Sequence, residues 1–313
     1  IKSSENYERR FIMTFPNETL PKGRKQKTTA LYDRFVNQGA VMGDSFGLEN
    51  VLWFANSKED AHEEPTIKRS RSHDYVSREV INVRENVGLI EVANFSKHEF
   101  KGTDARKFLD HVMAGKLPKP GRISLSPMLS YKGKLCGDLT VACFNENEFM
   151  VFGSGAAQEM HRRWFESHLN KFDVRYKNRS DEFHGISIAG PNSRKVLEKI
   201  VRDDVSNEKF KFRDSRRMFV GGVPSIINRI SFTGELGYEI YVAPHYQIKL
   251  YEELMEAGKE FNIKPFGGRA LMSMRLEKNW GAWTLDYRPD FTAKETGLDM
   301  FINWDKDFIG KEK

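Results

Sequence analysis

The chain has 313 residues, 39% of them hydrophobic, with 50 basic and 44 acidic side chains and a formal charge of +6. That length and apolar content allow a sizeable core and suggest about two domains. No apolar run approaches the roughly 18–20 residues needed to cross a bilayer, and no charged-then-apolar leader is recognisable, so an aqueous compartment is expected, cytoplasm or mitochondrial matrix. The positive excess is too mild to imply nucleic acid. Its densest spots, Lys22 to Lys27, Lys68 to Arg71 and His161 to Arg163, are short, read as solvated faces, and lack the interleaved aromatics of RNA-binding surfaces. Two cysteines, Cys136 and Cys143, are separated by an odd number of residues. On one strand they would face opposite ways, against a disulfide and for a reducing compartment. The eight histidines are scattered without zinc-site spacing, so no structural metal is expected.

In chain order, residues 1–84 read as a linker and entry segment. Strands follow at Val87 to Phe95 and Lys97 to Phe100, then a helix. A meander is predicted over Ile123 to Ser130, Leu135 to Phe144 and Phe149 to Phe152, with turns at Lys132 to Lys134 and Asn145 to Glu148. A helix from about Gly155 to Leu169 is expected to bury Met160, Trp164 and Phe165. Beyond a strand at Gly185 to Ala189 and another helix, strands are predicted at Met218 to Val220, Ser225 to Phe232 and Tyr238 to Val242. The helix near Tyr246 to Phe261 carries Tyr251, Leu254, Met255 and Phe261.

This order contains a repeat. FKGTDARKFLDHVM, residues 100–113, aligns with IAGPNSRKVLEKIV, residues 188–201, so that Gly102, Arg106, Lys107 and Leu109 fall opposite Gly190, Arg194, Lys195 and Leu197 at a constant offset of 88. In the second copy Val196, Leu197, Ile200 and Val201 form a helical apolar stripe. The elements after each copy repeat too. The fold class expected is α+β: two related halves, residues 85–180 and 181–265, each an antiparallel sheet with helices on one face. Residues 266–313 would supply a C-terminal helix and the start of a connection to a barrel.

The hairpin RISFTGELGYEIY, Arg229 to Tyr241, turns at Gly234 to Gly237 and fixes the direction of Glu239. Asp138, in GKLCGDLTVACF, stands beside Gly137 at the head of an apolar strand, and the duplication makes it the expected counterpart of Glu239 in the first half. About a pseudo-twofold axis, the two acids would converge on one cleft. The plain alternatives are a water-facing Glu239 and an Asp138 that merely ends a hairpin.

SFTGELGYEIY, GDLTVACF, AGPNSRKVL and FGGRALMSMRLEKNWGAW occur in the order seen in the folate-binding aminomethyltransferase family, which includes the glycine-cleavage T-protein. The opening strings RRFIMTFPNETLPKGRKQKTTALYDRF and QGAVMGDSFGLENVLWFA resemble more closely the C-terminal, tetrahydrofolate-binding part of dimethylglycine and sarcosine dehydrogenases. The resemblance implies capture, as 5,10-methylenetetrahydrofolate, of a carbon released from an N-methylated glycine by a separate flavin domain or subunit, so FAD would not bind this segment. It assigns Glu239 to the pterin, where a carboxylate can accept paired N–H bonds. Asp138 takes the catalytic place, positioning the folate nitrogen, stabilising a cation or handling a proton. Arg269 is assigned to the glutamyl tail, with Arg275 as the alternative, and Phe232 and Tyr238 lie beside the pterin. Phe232 stands where such enzymes often carry tyrosine, keeping the ring and losing a donor. Gly153 and Ser154 replace an asparagine common in the glycine-cleavage branch. The family's last barrel would continue beyond FIGKEK.

GSGAAQ, residues 153–158, with Asp173 about 20 residues on, resembles a dinucleotide-binding turn, but it follows a meander strand rather than a parallel βαβ unit. His161 and His168 read as solvated or core-edge residues, Trp280 and Trp283 as core caps, and Lys278 as solvated. The leading expectation is a folate-dependent one-carbon transferase. The competing ones are a methyltransferase with another donor, a non-catalytic binding relative of the same fold, and a binder of anionic polymers.

Overall fold

The computed structural model describes residues 1–16 and 18–313, leaving only Asn17 of the opening string outside. The chain begins with α1 (Lys2–Glu8) and α2 (Tyr32–Asn37), a hairpin of β1 (Ala40–Ser45) and β2 (Leu48–Phe54), and α3 (Ser72–Glu85). Trp53, fully buried on β2, stacks on Tyr75 of α3 with ring centroids 4.9 Å apart. The next elements are β3 (Val87–Glu91), β4 (Phe95–Lys101), α4 (Ala105–Val112), β5 (Arg122–Leu129), β6 (Leu135–Asn145), β7 (Glu148–Ser154), α5 (Gln158–His168) and β8 (Arg175–Asn178). Then come β9 (His184–Ala189), α6 (Ser193–Ile200), β10 (Ser215–Val220), β11 (Val223–Asn228), β12 (Gly237–Val242), α7 (Gln247–Gly258), β13 (Ile263–Pro265) and α8 (Gly268–Glu277).

Two large sheets carry the architecture, in the orders β5-β6-β7-β4-β8 and β10-β11-β12-β9-β3-β13. Every pairing is antiparallel except that of β13 with β3. The sheets correspond strand for strand, β5-β6-β7-β4 to β10-β11-β12-β9. Helices α4 and α6 span 105–112 and 193–200, the same 88-residue offset as the sequence repeat. One feature is not a simple copy. The strand before each unit is lent to the other: β3 precedes β4 but pairs with β9, and β8 precedes β9 but pairs with β4.

Helices α4 and α5 cover the outer face of one sheet and α6 and α7 that of the other, while α3 and α8 add Val80, Val83, Ala270 and Met274 to the inner side. Leu139, Val141 and Phe149 pack with Phe108 and Leu109 of α4 and Phe165 of α5, while Ile188 and Ile240 pack with Val196 and Leu197 of α6 and Leu254 of α7. The inner faces meet each other through Ile123, Ala142, Met150 and Phe152 on one side and Ile90, Ile226 and Tyr241 on the other. Phe152 and Tyr241 stack across this seam with centroids 4.7 Å apart and planes 29° from parallel. Aromatic pairing of this kind adds about 0.5–1.5 kcal/mol to area burial. The mixed α+β class with antiparallel sheets is as expected, and among the described residues no closed barrel forms.

Three local expectations change. The strand predicted to reach Phe232 ends at Asn228, because the Arg229 main chain exchanges hydrogen bonds with Arg213 and Asp214 at 3.0 and 2.9 Å and its side chain is held by Asn207 and Phe210. All six residues of β12 are buried, since its sheet is covered on both faces, so Glu239 does not face water. On α5 the buried face is His161 and Phe165, an i, i+4 pair, whereas Met160 is exposed. The basic spots are largely paired: Arg24 with Glu49, Lys27 with Asp181, Arg71 with Asp60 and Glu64, and Arg162 with Glu159 and Glu166.

Gly102 and Gly190 hold equivalent corners between strand and helix, with φ of 149° and 130°. A Cβ would lie 2.1 Å from the Asp173 carbonyl oxygen at the first and 2.4 Å from that of Val83 at the second, both rigid backbone. Alanine at either position is expected to cost at least about 1–3 kcal/mol from backbone strain alone. Denaturant unfolding checks this, with a reduced midpoint and unchanged slope as the predicted result.

Candidate functional site

A cavity of about 810 Å³ opens where the seam between the inner faces ends, lined by both sheets, the β1–β2 turn and the segment after α8. The walls are chiefly apolar and aromatic, with a few acids and hydroxyls directed inward, the usual composition of a small-molecule site. Strand alternation decides which side chains enter. Leu139 and Val141 of β6 face α4 and α5, so Asp138 and Thr140 face the cavity; Tyr238 and Ile240 of β12 face outward, so Glu239 and Tyr241 face inward.

Glu239 is 7% exposed and lines the cavity. The Tyr241 hydroxyl donates to its Oε2 at 2.8 Å, and among the described residues no other side chain or N–H donates to the carboxylate. Burial raises the Glu239 carboxyl to about 7, opposed by the Tyr241 hydrogen bond and by the positive charge of Lys97. Asp138, half-buried at the other side of the cavity, is likewise raised to about 7 by desolvation, with its own backbone N–H opposing. The site therefore holds two carboxyl groups able to exchange protons near neutrality.

The two acids share the cavity but are not repeat mates. Asp138 lies on β6, which corresponds to β11, whereas Glu239 lies on β12, which corresponds to β7. Packing of the two sheets, rather than the duplication, brings them to one space.

The other expected residues divide. Phe232 lines the cavity, as do Trp280, Trp283 and Lys278, which sequence reading placed in a core or in solvent. Tyr238 is fully buried on the opposite face of β12, stacked on Phe210, its hydroxyl accepting from Arg194 Nε at 3.2 Å. Arg269 pairs with Glu63 at 2.9 Å and donates to Ser72 at 2.7 Å, while Arg275 is held by Asp286 and the Trp280 carbonyl. Neither lines the cavity; its cationic lining residues are Arg213 and Lys278. The GSGAAQ segment forms a cavity-lining turn in which Ser154 Oγ accepts from the Ala156 N–H at 3.3 Å, after an antiparallel strand. His161 is buried with Nε2 at 2.9 Å from the Cys136 carbonyl, and burial lowers it to about 4. His168 sits against the Tyr131 hydroxyl at 2.7 Å. The cysteines are free, and no cluster of three potential metal ligands occurs among the described residues.

Sequence reading did not pick out Glu91, Lys97 or Tyr241. Glu91 lines the cavity beside the Gln247 amide, which donates to it, and is raised to about 7 by burial. Lys97 is 1% exposed. A lysine inside the run FSKHEF reads as the solvent side of a strand, and its burial follows only from the pairing of β4 with β7 and β8.

The sequence pattern described as the GCVT N-terminal domain matches residues 31–306. The mitochondrial dimethylglycine dehydrogenase of Homo sapiens is 36% identical over 317 residues, 99% of this chain and 36% of that protein. An aminomethyltransferase of Thermoanaerobacter pseudethanolicus is 30% identical over 234 residues, 74% of this chain and 63% of that protein. This chain thus spans about a third of the dehydrogenase and nearly two thirds of the transferase. The glycine cleavage system aminomethyltransferase T from Bartonella henselae superposes with a TM-score of 0.78 at 21% identity over 92% of this chain and 73% of its own, a likeness of fold.

Replacing Tyr241 by phenylalanine keeps the stack on Phe152 and removes the one donor to Glu239. Because that hydrogen bond lowers the Glu239 carboxyl, its loss is expected to move the titration above about 7, by about one pH unit for a hydrogen bond to a charged group. Carbon-13 NMR of the labelled carboxyl in both proteins reads the difference.

Proposed function

The chain belongs to the GCVT aminomethyltransferase family, and on that premise we propose that it is the tetrahydrofolate-binding part of a one-carbon transferase fed by the oxidation of an N-methylated glycine. Relatives in the family are enzymes, named as aminomethyltransferases and dimethylglycine dehydrogenases. The likeness to the dehydrogenases over 99% of this chain supports dimethylglycine or sarcosine as the carbon source, a flavin domain or subunit as the partner that releases it, and the mitochondrial matrix as the location. Among the described residues no helix is long and apolar enough to cross a membrane.

The observation that carries this reading is Glu239, a buried carboxylate facing an 810 Å³ cavity with a single side-chain donor from the protein. A buried acid so placed is costly unless a ligand completes its hydrogen bonds. The fused amino-pyrimidine edge of a pterin offers two adjacent N–H donors, and the apolar walls suit its ring. Phe232 contributes a face for packing and no hydroxyl. Arg213 and Lys278 are the cavity's cations and suit an anionic tail, in preference to Arg269, whose guanidinium is already engaged by Glu63.

Tetrahydrofolate, when bound, supplies the nitrogen atoms that accept the carbon. The protein's own contribution is to orient and to move protons. Glu239 fixes the ring, and the aromatic walls exclude water that would otherwise compete for an electrophilic one-carbon unit. Asp138, raised to about 7, can stabilise a passing positive charge as the anion and hold a proton at neutrality as the acid.

Calorimetry with tetrahydrofolate, alongside assay of methylenetetrahydrofolate formation from formaldehyde, tests the assignment. Glu239→Gln is expected to weaken binding by about 10- to 150-fold, the loss of hydrogen bonds to a charged group. Asp138→Asn is expected to bind within a few-fold of wild type and to lose about 10²–10⁴ in turnover. Since the pterin edge donates, it selects the carboxylate: wild-type affinity should fall as pH drops below the Glu239 midpoint near 7, and this dependence should be absent in Glu239→Gln. An intact protein that ignores tetrahydrofolate sinks the reading. Binding without turnover in wild type identifies the binding-only relative.

A further inference from the structure

Lys97 is the least expected residue of the inter-sheet layer. Its side chain is 1% exposed, yet its ammonium donates only to main-chain carbonyls, Ala93 at 2.9 Å and Ser180 at 3.4 Å, and to no carboxylate among the described residues. Two carbonyls can be served by a neutral side chain, and a desolvated cation is expensive. The surroundings explain the charge. Nζ lies 5.8 Å from the ring centroid of Tyr241, whose hydroxyl donates to Glu239. Glu91, which lines the same cavity and accepts from Gln247, also acts on Lys97 by its charge.

We propose that Lys97 is a positioning residue of the ligand site: its buried cation favours the carboxylate form of Glu239, using Tyr241 as the spacer, so that more of the cavity is charged to receive a donor edge before any ligand arrives. The proposal rests on the reading of Glu239 as the pterin acceptor. A direct salt bridge would have occupied the carboxylate oxygens that a ligand must use. A cation set back behind an aromatic ring supplies the field and leaves the oxygens open.

The titratable groups facing this layer come from four strands. Glu91 is on β3, Lys97 on β4, His184 on β9, and Glu239 and Tyr241 on β12, while the exposed pair Lys27 and Asp181 lies outside and acts on Lys97 in opposite senses. His184 Nδ1 is 3.1 Å from Gln247 Oε1, so α7 links it to Glu91. Attraction from Lys97 lowers the carboxyls of both Glu91 and Glu239, and burial brings the ammonium itself down to about 7. The cation is therefore present below neutrality, the range in which Glu239 takes up its proton, and it shifts that uptake to lower pH.

The experiment measures tetrahydrofolate affinity by calorimetry from about pH 5.5 to 8.5 on the full chain, for wild type, Lys97→Met and Lys97→Arg. In Lys97→Met the midpoint of the affinity curve is expected to move up by about one unit, giving about tenfold weaker binding on the acid side, with the curves converging at high pH. Lys97→Arg should keep the wild-type midpoint. Weakening by the same factor at every pH, or no change, overturns the proposal and leaves Lys97 as a structural tie between Ala93 and Ser180. Should Lys97→Met not fold, nitrogen-15 NMR of lysine-labelled wild type decides: coupling is reciprocal, so filling the site must raise the Lys97 titration, and an unmoved titration overturns the proposal. If wild type does not bind tetrahydrofolate, the reading of the site fails by itself. The coupling is then judged from the Glu239 carboxyl titration in wild type and Lys97→Arg against Lys97→Met or Lys97→Gln, where an equal midpoint in all variants overturns it.

Discussion

The structure turns on two sheets that close face to face while keeping ionisable groups between them. Helices α4 to α7 cover the outer faces, α3 and α8 close one flank of the inner layer, and what the inner faces carry must either pack, as Phe152 does on Tyr241, or line the space where packing stops. Desolvation there lifts Asp138, Glu91 and Glu239 to about 7 and brings Lys97 down to about 7, so four groups of opposite sign approach one another in titration. A site with proton affinities near neutrality is a by-product of where the apolar seam ends.

Duplication supplied the scaffold and then diverged within it. The outer faces repeat closely: α4 and α6 keep the same length, offset and apolar stripe, and Gly102 and Gly190 keep the same close approach to backbone. The inner faces do not repeat. Where one sheet presents Asp138 on its second strand, the other presents Glu239 on its third, so the site is asymmetric although its frame is not. An asymmetric ligand with a donor edge at one end and a reacting nitrogen further along suits such a pair better than two equivalent acids would.

Much of this was legible in the sequence, for local reasons. Strand, glycine and helix follow one another within 14-residue copies, and periodicity within each copy is enough to recognise them. Glu239 and Asp138 were legible because each stands in an otherwise apolar strand close to a glycine, Gly237 two residues before the one and Gly137 next to the other. Lys97, Glu91 and Tyr241 were not, since strand pairing and sheet packing bring together positions up to about 150 residues apart, as from Glu91 to Tyr241, and nothing local marks a lysine that will be buried. The same limit explains His161, where the choice between the 160/164 and 161/165 faces of α5 depends on which side meets Phe100 and Phe108. It also explains β11, whose last residues leave the strand when Arg229 is claimed by a neighbouring loop.

The lending of β3 and β8 between the sheets bears on how the molecule can be made. During synthesis β3 leaves the ribosome about 100 residues ahead of β9, the strand it must pair with, and until then it is an apolar edge with nothing beside it. A gene cut between α5 and β8 would give fragments that each lack a strand and each expose an unsatisfied ladder. The exchange works as a clasp: it couples the folding of the two units into one event and makes the slow, long-range pairing of β3 with β9 a step that assembly must wait for.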